Sequence, residues 1–270
     1  MLSANELQRI ITEARTFLEG RLRETLEGNR EFWADLADKP LHEFIDAHLV
    51  PDHDLLNVAR EEILSRLLVS IQNRQSSSNV IGGSIDGGWS TLAEWLEGFR
   101  PEAILARWPE PDDLLTFFRE QSAAKRIRGK FRTETQKSLW PQFARSVLSA
   151  AKFMARYPTA QAFRDWLDSF IHSDDTIAAL PLILSQEVFG LGLPLAADFL
   201  KELGCHQFPK PDTHIWRLAT ALGISDAETD YRLMLDIMKA ARSIDMTPYE
   251  FDKILWLIGS RDNSSSRYAG

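Results

Sequence analysis

The chain has 270 residues, a net charge of −8, 44% hydrophobic and 26% charged residues. This is the balance of a globular protein with room for one large domain or two small ones. Its single cysteine, Cys205, excludes an internal disulfide framework and cannot supply the several thiolates of an iron–sulfur cluster.

Helical spacing governs the chain from its first residues. Leu7, Ile10, Ile11, Ala14, Leu18 and Leu22 recur at three- and four-residue steps. The spacing continues through Leu41, Phe44, Ile45 and His48, and through Ile63, Leu67, Leu68 and Ile71. The stretch Asn79–Gly88 is Gly-rich and reads as a loop or small hairpin. Ser90 fits an N-cap for the helix that follows. Pro101, Pro109 and Pro111 punctuate the next helices. Helical spacing returns at Val147, Ala151 and Met154. Pro158-Thr159 opens a helix over Ala160–Phe170. The last helices carry Ile215, Leu218, Ala219 and Leu222, then Leu233, Ile237, Met238 and Ala241. Thr247 caps a final helix opened by Pro248. An all-α protein of about a dozen helices is expected, without internal repeats. The N-terminus holds neither a basic nor an apolar signal region, and no run of about 18 apolar residues occurs. A cytoplasmic protein without a membrane partner is expected.

Charge is unevenly spread. Ten basic residues and only two acids lie between Arg119 and Arg156, so this segment is +8 and the remainder −16. A local basic face on an acidic body can still bind phosphates, because salt screens distant charge within about 10 Å. The plain alternative is a solvated helix face.

The informative segment runs from Ser185 to Gly223. One helix ends near Phe189, Gly190-Leu191-Gly192 turns the chain, and a second helix begins with Pro194 in its first turn. Both glycines are expected to supply backbone angles that other residues resist. Leu191 would point inward and lock the two helices. Free amides at the turn and the helix N-terminus suit an anion such as a DNA phosphate. Twenty residues beyond Gly192 comes Asp212, in Pro209-Lys210-Pro211-Asp212-Thr213-His214-Ile215-Trp216, where another helix starts. By itself Asp212 reads equally as an N-cap, worth about 1 kcal/mol.

Together, Gly190-Leu191-Gly192…Ala196 and Asp212-Thr213-His214-Ile215 resemble the helix-hairpin-helix–Gly/Pro–Asp motif. That motif defines a superfamily of DNA glycosylases including endonuclease III, the adenine-specific mismatch glycosylase, 3-methyladenine glycosylase and the 8-oxoguanine glycosylases. The run Ala196–Gly204 is most similar to the bacterial and archaeal 8-oxoguanine branch. The resemblance covers roughly 63–223. It implies a two-lobed helical fold with a DNA groove between the lobes, one lobe over 56–204 and the other over 1–55 plus 205–270. It implies excision of a damaged or modified base from double-stranded DNA by a monomer. Asp212 would stabilise the cationic sugar, and His214 would contact a phosphate, with Lys210 beside them. Gly190, Leu191, Gly192 and Pro194 would grip the backbone. Leu67–Gln75 resembles the family segment whose polar turn fills the gap left by the flipped base, which makes Gln72, Asn73, Arg74 and Gln75 candidates; their alternative is an ordinary helix end. Trp216, Trp140 and Phe143 are candidate walls of the base pocket, although most tryptophans of a helical protein are core.

One departure bears on the chemistry. Many members carry a lysine two residues after the second hairpin glycine, where this chain has Pro194. Proline has no amine to form a Schiff base, so a monofunctional glycosylase using water is expected. Lys210 remains a possible substitute amine or a phosphate contact. No cofactor is expected, a monovalent cation at the hairpin being the one candidate ion. His42, His48 and His53, with Asp46 and Asp54, lack the spacing of a zinc site. Two rival readings stay open: a helix-hairpin-helix DNA-binding protein without activity, and a helical protein–protein adaptor suited to the acidic remainder.

Overall fold

A computed structural model describes residues 2–28, 58–73 and 79–261. The helical spacing at 41–48 and the histidines and aspartates of 42–54 lie outside them. Among the described residues there are thirteen α-helices, one 3-10 turn (Glu97–Phe99) and an isolated antiparallel bridge between Ile85 and Ile127. The chain divides into two compact units, one comprising Met1–His53 with Gly204–Gly270 and the other Asp54–Leu203.

Among the described residues, the Asp54–Leu203 unit holds nine helices. They are α2 (Arg60–Gln72), α3 (Val80–Ser84), α4 (Gly88–Trp95), α5 (Pro101–Arg107), α6 (Pro111–Ala123), α7 (Leu139–Met154), α8 (Ala160–Asp168), α9 (Asp174–Glu187) and α10 (Leu193–Glu202). Helix α7 is the post around which the unit is built, packing against α2, α5 and α6. Trp140, Phe143, Ala144, Val147, Leu148, Ala150, Ala151, Phe153 and Met154 are all buried. Only one narrow stripe of it reaches solvent. Phe118 of α6 sits 5.1 Å from the Trp140 ring and 6.1 Å from Phe143, so large rings fill the space between these helices. Arg60 ties α2 to α5 through two hydrogen bonds to the Glu102 carboxylate (2.8 and 2.7 Å).

The Asn79–Gly88 stretch differs from the loop or hairpin that its glycines suggest. It contains the helical turn α3, and α4 then opens at Gly88 rather than after Ser90. The reason lies in α2. Gln72 is buried, and its carboxamide oxygen accepts the backbone N–H groups of Ile81 (3.2 Å) and Gly82 (3.0 Å), doing for α3 what a capping side chain does. Gly82 permits this turn because a β-carbon there would lie 2.4 Å from the Asn79 side chain and 3.2 Å from Trp89.

The other unit contains α1 (Ala4–Gly28), α11 (Thr213–Ala221), α12 (Asp230–Arg242) and α13 (Pro248–Arg261). Leu7 and Ile11 of α1, Ile215 and Ala219 of α11, Leu233 and Ile237 of α12, and Phe251, Ile254 and Leu255 of α13 form one core. Thr247 caps α13 as the sequence suggests: its hydroxyl accepts the Glu250 N–H (3.2 Å), and the Glu250 carboxylate accepts the Thr247 N–H in return (3.0 Å). Among the described residues, no helix is long and apolar enough to cross a membrane.

Candidate active site

The Gly190–Gly192 elbow belongs to the Asp54–Leu203 unit. Helix α9 ends at Glu187, and the Phe189 N–H donates to the Ser149 hydroxyl of α7 at 2.8 Å, which fixes where the chain leaves the helix. Gly190 has φ +88°, a conformation that a residue with a β-carbon resists. Leu191 is buried, and its N–H donates to the Val188 carbonyl (3.1 Å), so the turn is locked from inside. Gly192 does not behave as the sequence suggests. Its φ is −67° and it is the exposed N-cap of α10. A β-carbon there would meet only the Pro194 Cδ, at 3.9 Å. Its use is therefore closeness of approach, because a bare backbone leaves the mouth of α10 open. The Leu193 and Leu195 amides precede the first bond of that helix, Ala196 N–H to Gly192 carbonyl (2.9 Å). Pro194, between them, has no N–H to offer.

Asp212 belongs to the other unit. Buried Phe208, Pro209 and Pro211 press the linker down, and the Asp212 N–H donates to the Lys210 carbonyl (2.7 Å). Asp212 is the N-cap of α11. Its Oδ1 accepts the N–H groups of His214 (2.9 Å) and Ile215 (3.1 Å). The N-cap reading of the sequence is thus correct, and it leaves a second oxygen. Oδ2 has no hydrogen-bond partner among the described residues. A half-buried carboxylate held at one oxygen by two amides of a helix N-terminus has a fixed direction. The helix places His214 and Trp216 within one turn of it. The Trp216 Nε1–H donates to Asp230 at 2.7 Å, which fixes the indole edge to α12.

The remaining candidates are distributed differently. Gln72 is buried and committed to α3, so it does not present a polar wedge; its only outlet is the inward carboxamide. Asn73 accepts the Asn79 N–H (3.2 Å). Arg74 and Gln75 lie outside the described residues. Trp140 and Phe143 are interior side chains, 2% and 3% exposed, so neither offers a ring face to a base in this conformation. Among the described residues no group of three or more His, Cys, Asp or Glu side chains could hold a metal ion.

Two residues emerge that the sequence reading missed. Ser149 anchors the entry to the elbow; a serine on a helix carries no signal of that role. Asp252 of α13 is 1% exposed and accepts the Lys210 N–H at 3.1 Å, holding the linker two residues before Asp212. An aspartate between Phe251 and the buried Ile254-Leu255 pair was a legible clue, since charged side chains are seldom sealed without a partner.

No family model and no curated protein sequence matches the chain. Solved structures do. The Methanocaldococcus jannaschii 8-oxoguanine glycosylase/lyase, in complex with a 15mer DNA containing 8-oxoguanine, is 16% identical and superposes with a TM-score of 0.50 over 83% of this chain and 93% of that one. The 8-oxoguanine DNA glycosylase of the same organism, solved in another crystal structure, is 15% identical, with a TM-score of 0.51 over 83% and 90% of the two chains. The chain therefore has an all-helical fold that it shares with these archaeal 8-oxoguanine glycosylases.

The two glycines should separate by experiment. Gly190→Ala is expected to destabilise by about 1–2 kcal/mol, the strain of a left-handed alanine, seen as a lower melting temperature. Gly192→Ala should melt like the parent, because its φ of −67° suits alanine and the added methyl group would meet only the Pro194 Cδ. Asp252→Ala should destabilise by about 2 kcal/mol through the orphaned Lys210 amide, while Asp252→Asn, which keeps an acceptor, should lose much less. Thermal melting of the pair checks this.

Proposed function

We propose that the protein is a monomeric DNA N-glycosylase that hydrolyses the bond between a damaged or modified base and its deoxyribose in duplex DNA. The observation that carries the reading is Asp212: one carboxylate oxygen is spent on capping α11, and the other has no partner among the described residues. The shared fold and the elbow support it. Excision of this kind begins with extrusion of the base from the stack, which costs a few kcal/mol and is easiest for a damaged or mispaired base. The elbow amides hold the phosphate backbone. As the glycosidic bond lengthens, the electron pair leaves with the base and positive charge grows on the sugar. A fixed carboxylate beside that charge stabilises the transition state more than the neutral ground state. Water then adds to C1′, its proton is lost, and the departing base is protonated. Pro194 offers no amine at the position where many members of the superfamily carry the attacking lysine, so the sugar is left intact as an abasic site. No cofactor enters the scheme.

The first substrate to test is an oxidised purine, since the two structural relatives act on 8-oxoguanine. Alkylated bases, mismatches and the hypermodified bases of foreign DNA complete a panel in which free base is detected by mass spectrometry. Release of none of them, with duplex binding retained, would leave a binding module.

Asp212→Asn tests the carboxylate. Asparagine caps a helix about as well as aspartate, so the variant should keep its melting temperature and its duplex affinity. Base release should fall on the order of a hundredfold or more, the scale of losing one electrostatic group from such a site. Equal loss of binding and activity would reduce Asp212 to a structural cap. Borohydride treatment during turnover should trap no protein–DNA adduct. A trapped adduct would mean that a lysine attacks the sugar, with Lys210 the first to substitute.

A further inference from the structure

The basic segment between Arg119 and Arg156 is not used evenly. Arg128 is paired with Asp86 (2.7 Å), and Arg126 lies over the Trp95 ring (5.1 Å). Arg145, Lys152 and Arg156, in contrast, converge. Spaced seven and four residues apart, they lie along the one exposed stripe of α7 and the turn that follows it, with Ser149 between them. Together they line a cleft of about 410 Å³ whose far side is formed by Glu187 and Phe189, the residues that lead into the elbow.

The cleft is braced rather than loose. The Arg145 guanidinium stacks 3.9 Å from the Phe189 ring centroid. Arg156 pairs with Glu187 at 3.0 Å and lies 4.6 Å over Phe153. Lys152 stands between them and makes no ion pair among the described residues. Three cations therefore share the cavity with a single carboxylate. Stacked guanidiniums are held in place before any ligand arrives, so less side-chain entropy is lost on binding. A concave, partly apolar wall concentrates the positive field inside the cleft. This arrangement favours an anion.

We propose that this cleft is a second backbone site for the DNA strand held at the elbow, taking a phosphate neighbouring the one on the α10 amides. The inference rests on the reading of the protein as a DNA-binding enzyme. Its specific support is continuity: Glu187 and Phe189 wall the cleft, and the next residue, Gly190, begins the elbow. A strand places one phosphate for about every 3.4 Å of helix axis, so a strand gripped at the elbow carries further phosphates past the cleft. Lys152 and Arg145 supply charge, and Arg156 is released to the phosphate or stays with Glu187.

The test is the salt dependence of duplex binding by fluorescence anisotropy, on undamaged DNA, for the full chain and for Lys152→Ala, Lys152→Glu and Arg145→Lys. Lys152 is exposed, so its variants should melt like the parent. Each lost phosphate contact should reduce the slope of log affinity against log salt by about 0.9. Lys152→Ala is expected to show that change with a several-fold weaker complex, and Lys152→Glu a larger one. Arg145→Lys, which keeps charge but loses the planar stack, should weaken binding with little change of slope. If the parent binds duplex and both Lys152 variants match its affinity and slope, the cleft assignment is overturned and the glycosylase reading stands. If the slope falls in the variants while no base on the panel is released, the cleft stands and excision fails. Parent protein that does not bind duplex overturns both. Competition by millimolar inorganic phosphate, with DNA slopes unchanged in the variants, would make the cleft a site for free phosphate and overturn its assignment to DNA.

Discussion

The bond on which the site depends is the pair of backbone amides, His214 and Ile215, donated to one oxygen of Asp212. It is a helix cap by any structural measure, and it closes two of the orphan donors of α11. It also orients the carboxylate in advance. A carboxylate bound at one oxygen by two backbone amides cannot swing away. The charge proposed to meet a sugar cation is thus oriented by the same bond that starts the helix. Structural cap and proposed reactive group are therefore one residue, with the two roles divided between its oxygens.

That bond is supported from below. Asp252 on α13 grips the Lys210 amide, and the Tyr249 amide at the start of the same helix donates to the His206 carbonyl (3.0 Å). The linker of 205–212 is therefore tied at both ends to α13. Helix α13 in turn packs on α1, from the opposite end of the chain. The elbow is held by a parallel device in its own unit, where Ser149 of the central helix receives the Phe189 amide. In both cases a buried or half-buried polar side chain takes a loop amide that would otherwise be orphaned. Each anchored amide, Phe189 or Lys210, lies just upstream of the residues it aims.

Helix α7 links the core of its unit with the basic cleft. Its apolar face fills the middle of the Asp54–Leu203 unit, and its narrow exposed stripe carries Arg145, Ser149 and Lys152. Packing fixes the axis of the helix, so the three positions cannot rotate independently. Residues far apart in charge pattern thereby become a single lined cleft. The negative balance of the whole chain does not bear on this, because only charges within about a Debye length act strongly on a bound phosphate.

Local physics was written plainly in the sequence. Three- and four-residue apolar spacing determined the helices, Thr247 and Pro248 marked the start of α13, and Gly190 marked a left-handed turn, because each of these depends on neighbours a few residues away. The motif from Gly190 to Asp212 was legible for the same reason, and it pointed to the fold that the structure has. Tertiary packing decided the rest. It turned Gln72 inward to cap α3, buried Trp140 and Phe143 in a ring cluster, gave Gly192 ordinary dihedrals, and selected three of ten basic residues to share a cleft. Those outcomes depend on which distant surfaces meet, as with Asp252 beneath Lys210 forty-two positions away. A spacing rule that spans one helical turn carries no information at that range.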